Sequence, residues 1–180
     1  MRKKILTTTL IIISLIVTIP VVALQSKGII PLNGIDFSDL TPSAKKEVEC
    51  LADNIYFESA YEPRAGQIAV GMVTMNRVKR GFDDSVCGVV KQKTNATCQF
   101  SWWCDAKSKM TALYKDRYFN DRQREVYQEA QDVAVYVYMN HDSMKDNTKG
   151  ALYYHADYVN PQWKLKKTVT IGRHIFYTPF

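Results

Sequence analysis

Glu58 is the residue whose position in the sequence most strongly suggests chemistry. Val48, Leu51 and Ile55 follow the three-and-four spacing of a buried helix face, and Glu58 comes three residues after Ile55 on that face. A helix normally keeps carboxylates off its buried face, because burying a charge is costly unless the charge is paired or the pKa moves. Glu58 is therefore either half of a buried ion pair or a functional carboxyl group.

Two neighbouring features predict a raised pKa for Glu58. The aromatic residues Tyr56, Phe57 and Tyr61 indicate a partly desolvated site, and the helix is expected to end within a turn, before Pro63, where the helix dipole disfavours another negative charge. A carboxyl group that stays protonated near neutral pH can act as a general acid.

The alternative interpretation pairs Glu58 with Arg64, Arg77 or Lys79. A second acid, Glu62, is four residues further on, but its position before Pro63 favours a role at the helix end or in a turn.

The elements around Glu58 predict an α+β fold. Thr41 and Pro42 form a helix start for the segment that carries Glu58, and further helices are predicted over 65–80 and 120–140. The stretch 82–115 is expected to be irregular. Three short β-branched or aromatic segments, 151–154, 168–171 and 173–178, predict a small antiparallel sheet at the end of the chain. The fold class is therefore a helical first part followed by a small C-terminal sheet.

The first 25 or so of the 180 residues resemble an export segment. Arg2, Lys3 and Lys4 precede an uncharged apolar run from Ile5 to Leu24, which is typical of a signal peptide or of a signal anchor. A small-residue cleavage site near Ala23 and retention in the membrane both stay open. We expect an exported protein with a linker over 26–40 and one domain over 41–180, located in the periplasm or cell envelope, or anchored to the membrane if the segment is uncleaved.

Charge and cysteine content limit the remaining possibilities. Beyond the basic head, 21 basic residues stand against 18 acidic ones, with no dense Lys/Arg stripe, which argues against a nucleic-acid partner. The four cysteines are Cys50, Cys87, Cys98 and Cys104, and their spacing fits no common zinc site. Disulfides or buried thiols are the better interpretation, with three possible connectivities if all four are paired.

Several sequence blocks, taken in order, resemble the catalytic domain of the spore cortex-lytic, SleB-type cell wall hydrolases. The resemblance covers about residues 48–177. The matching blocks are Tyr56–Pro63, Gly66–Val70, Asn76–Val78, Val86–Val90, Gln99–Ser101, Tyr154–Asp157, Pro161 with Trp163, and Ile171–Tyr177.

This resemblance implies a lysozyme- or lytic-transglycosylase-like fold and cleavage of peptidoglycan between N-acetylmuramic acid and N-acetylglucosamine. The family's essential acid corresponds to Glu58, and the implied reaction is of the lytic-transglycosylase type, which needs one acid/base residue and no cofactor. The family's usual Glu-Ala-Arg-Gly-Glu-Pro motif is altered here, because Ser59, Ala60 and Tyr61 replace Ala-Arg-Gly.

Other polar and aromatic residues are candidates for binding the glycan. Gln67 and Asn76 on the second helix either hold sugar amides or are satisfied core groups. A cluster of mostly aromatic side chains either forms a rim that stacks on sugar faces or is simple core packing; its members are Gln99, Phe100, Ser101, Trp102 and Trp103. His155 either bonds the substrate or pairs with Asp157. His174 is expected to be a core histidine. The predicted substrate-binding residues are Gln67, Asn76, Gln99, Phe100, Ser101, Trp102 and His155.

Two other function classes stay open. A zinc-dependent peptidoglycan amidase or peptidase would use His155, Asp157 and His174, although no His-Glu-x-x-His motif supports it. A non-catalytic wall-binding module would not depend on Glu58. The sequence does not distinguish a bacterial enzyme from a phage endolysin that acts on a host envelope.

Overall fold

The computed structural model describes residues 34–95 and 97–180. The export segment and most of the linker therefore lie outside the described residues. Within the described part of the chain, no helix has both the length and the apolar character needed to cross a membrane. The last residues of the predicted linker form a 3-10 turn, Phe37–Asp39, which Asp36 caps with its side chain.

Three long helices form the body of the molecule. Helix α1, Pro42–Ser59, begins as the sequence predicts, because the Thr41 hydroxyl accepts a hydrogen bond from the backbone of Ala44. Helix α2 is Arg64–Lys79. The third long helix, Asp121–Asn140, is capped by Asn120 and is called α7 because four short helices precede it. These short helices are α3 Val86–Lys91, α4 Ser101–Cys104, α5 Ala106–Leu113 and α6 Lys115–Tyr118.

The core lies where α1 packs against α2, α3 and α7. Its largest fully buried side chains include Leu51 and Ile55 of α1 and Met72 of α2. Burying these apolar helix faces stabilises the fold by roughly 25 cal/mol for each Å² of apolar surface removed from water. The periodic positions that made Glu58 conspicuous are thus core positions, and α1 delivers Glu58 at the edge of that core.

A three-stranded antiparallel sheet closes the chain. Its strands are β3 Tyr153–Ala156, β4 Lys166–Ile171 and β5 His174–Thr178, in the order β3-β5-β4. Gly172 turns the β4–β5 hairpin with a positive φ of 56°. Phe176 is fully buried and joins Ala69 and Val73 of α2 in a second small core, which attaches the sheet to α2. The predicted α+β class is confirmed.

The prediction for 82–115 was wrong. This stretch contains α3, α4 and α5 and a two-stranded hairpin, β1 Lys93–Thr94 with β2 Thr97–Cys98. The helices are too short to show a clear hydrophobic period, and caps such as Ser85 and Asp105 define them instead. The four cysteines form two disulfides, Cys50–Cys87 and Cys98–Cys104, which is one of the three connectivities left open.

Candidate active site

Glu58 lies in the last turn of α1 with its side chain directed at the sheet. Its side chain is partly exposed, and its carboxyl group is largely removed from water. The hydroxyl of Tyr154, on β3, donates a hydrogen bond of 3.1 Å to Oε2 of Glu58. The contact joins residues 96 positions apart. It therefore fixes the helix end against the sheet.

Arg77 is the cation whose charge acts on this pair. It is 4% exposed on α2, where its Nε donates to the carbonyl oxygen of Leu152 at 2.8 Å and its guanidinium lies 4.8 Å from the centre of the Phe100 ring. Its charge acts on both Glu58 and Tyr154. Of the three cations that the sequence offered as partners of Glu58, Arg77 is the one whose charge acts on it. The hydrogen bond to Glu58 comes from Tyr154 instead.

The balance of these effects raises the pKa of Glu58 above its ordinary value. Desolvation by the surrounding protein is the main cause, and the Tyr154 hydrogen bond and the Arg77 charge oppose it without cancelling it. The position of Glu58 one residue before the end of α1 acts in the same direction as desolvation, because helix carbonyls disfavour a negative charge there. The site therefore holds a carboxyl group that tends to keep its proton.

Glu58 opens into a cleft of about 240 Å³. One wall comes from the end of α1 and the α1–α2 turn, and the other comes from the end of β3 and the β4–β5 turn. The lining residues are Tyr56, Phe57, Glu58, Ser59, Ala60, Tyr61, Glu62, Ala156, Tyr158, Arg173 and His174. Two larger pockets, of about 400 and 540 Å³, lie elsewhere, but Glu58 does not line them.

Glu62 lies in the α1–α2 turn, and its carboxylate accepts a hydrogen bond of 2.9 Å from the backbone N–H of Arg173 in the β4–β5 turn. A Cβ atom at Gly172 would overlap Oε2 of Glu62, so this close approach requires glycine. Glu62 therefore holds helix and hairpin together, as expected for a turn residue. It also lines the cleft with Glu58, which the sequence left undecided.

His174 is the third titratable side chain facing inward. It is 7% exposed, as a core histidine should be, yet it also lines the cleft. Burial lowers its pKa, against the opposing charges of Glu62 and Asp157. Its Nδ1 atom is buried without a hydrogen-bond partner among residues 34–95 and 97–180. An imidazole whose burial disfavours protonation therefore lines the cleft with the two acids.

Gln67 and Asn76 do not line the cleft. Gln67 Nε2 donates to the carbonyl oxygens of Ala60 and Glu62 at 3.3 and 3.4 Å, which supports the turn between the two acids. Asn76 donates to Asp146, Thr148 and Ala151 and so fixes the loop before β3. Both side chains are occupied by protein partners, so the structure favours the interpretation that they are satisfied polar groups over direct sugar binding.

The predicted aromatic rim is corrected by the structure. Trp102 is 6% exposed, stacks on Phe57 at 4.7 Å and donates from Nε1 to Asn54, so it supports a cleft residue from behind. Phe100 is 3% exposed. Gln99 and Ser101 are exposed, but neither lines the cleft. Phe100 and Trp102 are therefore packing residues, and the exposed Gln99 and Ser101 lie outside the cleft of Glu58.

His155 lies on the opposite face of β3 from Tyr154, because side chains alternate along a strand. It stacks on Tyr177, its Nε2 lies 3.0 Å from that hydroxyl, and both line a separate pocket with Trp163. His155 therefore does not line the cleft of Glu58, and its contact with the substrate stays a prediction. The suggested His155–Asp157 pair was wrong, because Asp157 pairs with Arg173 at 3.3 Å.

The zinc interpretation finds no support in these positions. His155 and His174 line different pockets, so the three proposed ligands do not converge. Across the described ranges, 34–95 and 97–180, no group of three or more His, Cys, Asp or Glu side chains is arranged to hold a metal ion.

Sequence reasoning missed several residues that shape the site. In the sequence, Tyr154 stands out only as part of a family block, and no local pattern marks Tyr158 or Arg173 as cleft residues. Strand alternation could have identified Tyr154. Tyr154 and His155 point to opposite faces of β3, so only one of them can face α1. Tyr61 was noticed as a departure from the family motif, and the structure places it in the cleft.

Comparison with known proteins agrees with this architecture. The catalytic domain of the germination-specific lytic transglycosylase SleB from Bacillus anthracis is 25% identical, with a TM-score of 0.51, over 74% of this chain and 95% of that one. The SleB catalytic domain from Bacillus cereus is 23% identical, with a TM-score of 0.50, over 74% and 91%. The predicted lysozyme-like, SleB-type fold is thereby confirmed. No curated protein gave a significant match.

A sequence model of the cell wall hydrolase family matches residues 61–177, well over half of the chain. The match starts at Tyr61, three residues after Glu58, so the case for Glu58 depends on the geometry of the site. The chain belongs to the cell wall hydrolase family, the enzymes that degrade the bacterial cell wall.

Proposed function

We propose that this enzyme cleaves the glycan strands of peptidoglycan between N-acetylmuramic acid and N-acetylglucosamine as a lytic transglycosylase. The observation that carries the proposal is Glu58 itself, a carboxyl group with a raised pKa at the edge of a cleft. The family of this chain and its structural likeness to SleB catalytic domains support glycan-strand lysis as the activity.

One carboxyl group is sufficient for this reaction. Protonated Glu58 gives its proton to the glycosidic oxygen as the bond from that oxygen to C1 of the muramoyl sugar breaks. The 6-hydroxyl oxygen of the same sugar bonds to C1, and its proton passes to the Glu58 carboxylate. The product ends in a 1,6-anhydromuramoyl unit, Glu58 regains its proton, and no water is consumed. The raised pKa suits the first step, and the second returns the site to its starting state.

The neighbours of Glu58 have supporting roles in this scheme. Tyr154 holds the carboxyl group in position through its hydroxyl, and Arg77 supplies a fixed positive charge that stabilises the carboxylate once the proton has left. Together they limit how far burial can raise the pKa, so that Glu58 both donates and accepts a proton.

Hydrolysis is a second candidate, and one observation favours it. Glu62 lines the same cleft, so it stands where a second carboxylate could activate water. Its hydrogen bond with the Arg173 backbone argues for a fixed structural role instead. The two reactions leave different ends on the glycan.

Digestion of purified peptidoglycan, followed by mass spectrometry of the fragments, tests the proposal. Transglycosylation gives anhydromuramoyl ends, which are one water lighter than the reducing ends that hydrolysis leaves. Reducing ends would assign the reaction to the Glu58–Glu62 pair. Free peptides with intact glycan strands would contradict both glycosidic schemes and favour an amidase or peptidase.

The Tyr154→Phe variant should move the pH dependence of the reaction. The hydrogen bond from Tyr154 lowers the pKa of Glu58, so its loss should raise that pKa further. Because the acid must be protonated, activity falls as pH rises through this pKa, and the falling limb of the kcat/KM profile should shift to higher pH. Tyr136→Phe on α7 is a matched control outside the cleft lining. A limb that stayed in place or moved to lower pH would contradict this role of Tyr154.

We also propose that the domain over 41–180 acts outside the cytoplasm, delivered by the segment before residue 26. The family match supports a place of action in the envelope. Amino-terminal sequencing of the mature protein distinguishes the two routes. A new terminus near Ala23 would indicate a cleaved signal peptide, and an intact Met1 would indicate a retained anchor.

A further inference from the structure

Two strongly exposed tyrosines line the cleft that contains Glu58. Tyr61, in the α1–α2 turn, is 88% exposed, and Tyr158, just after β3, is 77% exposed. Tyr114, which lines a different pocket, is 52% exposed. Tyr61 belongs to the wall formed by the end of α1 and the α1–α2 turn, called here the helical wall. Tyr158 belongs to the wall formed by the end of β3 and the β4–β5 turn, called the sheet wall. Each wall therefore presents a strongly exposed aromatic ring.

Tyr61 is also a departure from the related sequences, which usually carry glycine there. The substitution puts a large ring three residues after the acid, in a turn already fixed by Gln67 and Glu62. Tyr61 lines the cleft together with Tyr56, on the same wall. A ring held there by a rigid turn is suited to stacking on a sugar face.

Tyr158 differs from Tyr61 in having a charged neighbour. The Arg173 guanidinium lies 5.5 Å from the centre of the Tyr158 ring, and its Nη2 is 3.3 Å from Asp157. The Arg173 side chain is 67% exposed and lines the cleft. The sheet wall therefore combines an aromatic ring with a cation that can bind a carboxylate. The helical wall has no cation among the cleft-lining residues of the described chain.

We propose that Tyr61 and Tyr158 stack on the two sugars on either side of the cleaved bond, and that Arg173 binds the carboxylate of the muramoyl sugar on the Tyr158 side. N-Acetylglucosamine has no carboxylate, whereas the muramoyl lactyl group carries one, free or at the end of a peptide stem. The asymmetry of the walls thus sets the direction of the strand across Glu58. This inference rests on the proposed function, because it identifies the ligand of the same cleft as an alternating glycan.

Binding measured in a Glu58→Gln background tests the inference without requiring turnover. The ligands are peptide-free glycan strands, which keep the lactyl carboxylate, and chitohexaose, which lacks it. Loss of one stacking contact in Tyr61→Ala or Tyr158→Ala should weaken binding of both ligands about tenfold. Tyr61→Phe should bind normally, because the ring makes the contact. Tyr61→Gly, which restores the residue usual in the family, should bind as weakly as Tyr61→Ala.

Arg173→Gln should weaken binding of the glycan strands about fivefold and leave chitohexaose unaffected. Tyr114→Ala is the control and should bind both ligands like its parent. Unchanged affinity in both tyrosine variants, with their unfolding midpoints preserved, would overturn the stacking role. Equal losses for both ligands in Arg173→Gln would overturn the carboxylate assignment. Neither outcome bears on cleavage by Glu58, which is judged from the turnover of Glu58→Gln alone.

Discussion

Replacing Glu58 with glutamine is expected to lower kcat on purified peptidoglycan about 10³-fold, the range in which a positioned general acid contributes. The amide is nearly the same size and can still accept the hydrogen bond from Tyr154, but it cannot deliver a proton. Because Glu58 acts as acid and then as base in the proposed scheme, both steps are affected. Release of soluble muropeptides over time is the measurement.

Glu62→Gln is the matched control, since it makes the same chemical change in the same cleft. The amide oxygen can still accept the N–H of Arg173, so the turn should survive, and kcat should fall less than about tenfold if Glu58 acts alone. A loss as large as that of Glu58→Gln would show that two carboxyl groups share the chemistry. Full activity of Glu58→Gln would leave a wall-binding module or another catalytic site as the explanation.

The loss in Glu58→Gln should not come from unfolding. The pKa of Glu58 is raised in the folded state, so folding favours the protonated form, and the wild type loses stability as pH rises from the unfolded pKa through the folded one. Glutamine has no such dependence. Above that pH window the variant should be at least as stable as the wild type, which thermal unfolding would show.

The second large effect is expected from the disulfide that links α1 to α3. Cys50 and Cys87 are 37 positions apart, and closing a loop of that length in the unfolded chain should stabilise the fold by about 4 kcal/mol. The double variant Cys50→Ala/Cys87→Ala should lose about that much free energy of unfolding in denaturant titrations. Cys50 is in α1, the helix that carries Glu58, so the bond also anchors that helix to α3.

The Cys98–Cys104 bond provides the comparison. Its partners are only 6 positions apart, so removing it should cost about 2 kcal/mol by the same reasoning. The free energy of unfolding of the two double variants, measured in one denaturant series, tests the ordering. A smaller loss for Cys50–Cys87 than for Cys98–Cys104 would contradict it.

The long helices and Glu58 could be predicted because their signals are local. Thr41 and Pro42 mark the start of α1, and the spacing of Val48, Leu51 and Ile55 places Glu58 on its buried face. The raised pKa of Glu58 could be predicted as well, because its aromatic neighbours and the nearby helix end are recognisable from the sequence. The direction of that shift is confirmed.

The hydrogen-bond partner of Glu58, Tyr154, could not be predicted in the same way, because it comes from a distant part of the chain. A strand boundary uncertain by one residue exchanges the faces of Tyr154 and His155, and this decides which of them meets the acid. Trp102 illustrates a second limit. Composition indicates that aromatic residues lie near a site, but only packing shows that Trp102 supports Phe57 from inside.

Titration of the Glu58 carboxyl group, followed by carbon-13 NMR and set beside the pH dependence of kcat/KM, tests the central claim most directly. The Glu58 signal can be assigned by its absence from the spectrum of Glu58→Gln. Glu58 should titrate above the ordinary glutamate pKa of about 4.3, and activity should fall as pH rises through the same range. A Glu58 that titrates at the ordinary value, or activity that does not follow its titration, would contradict the claim that this carboxyl group is the acid.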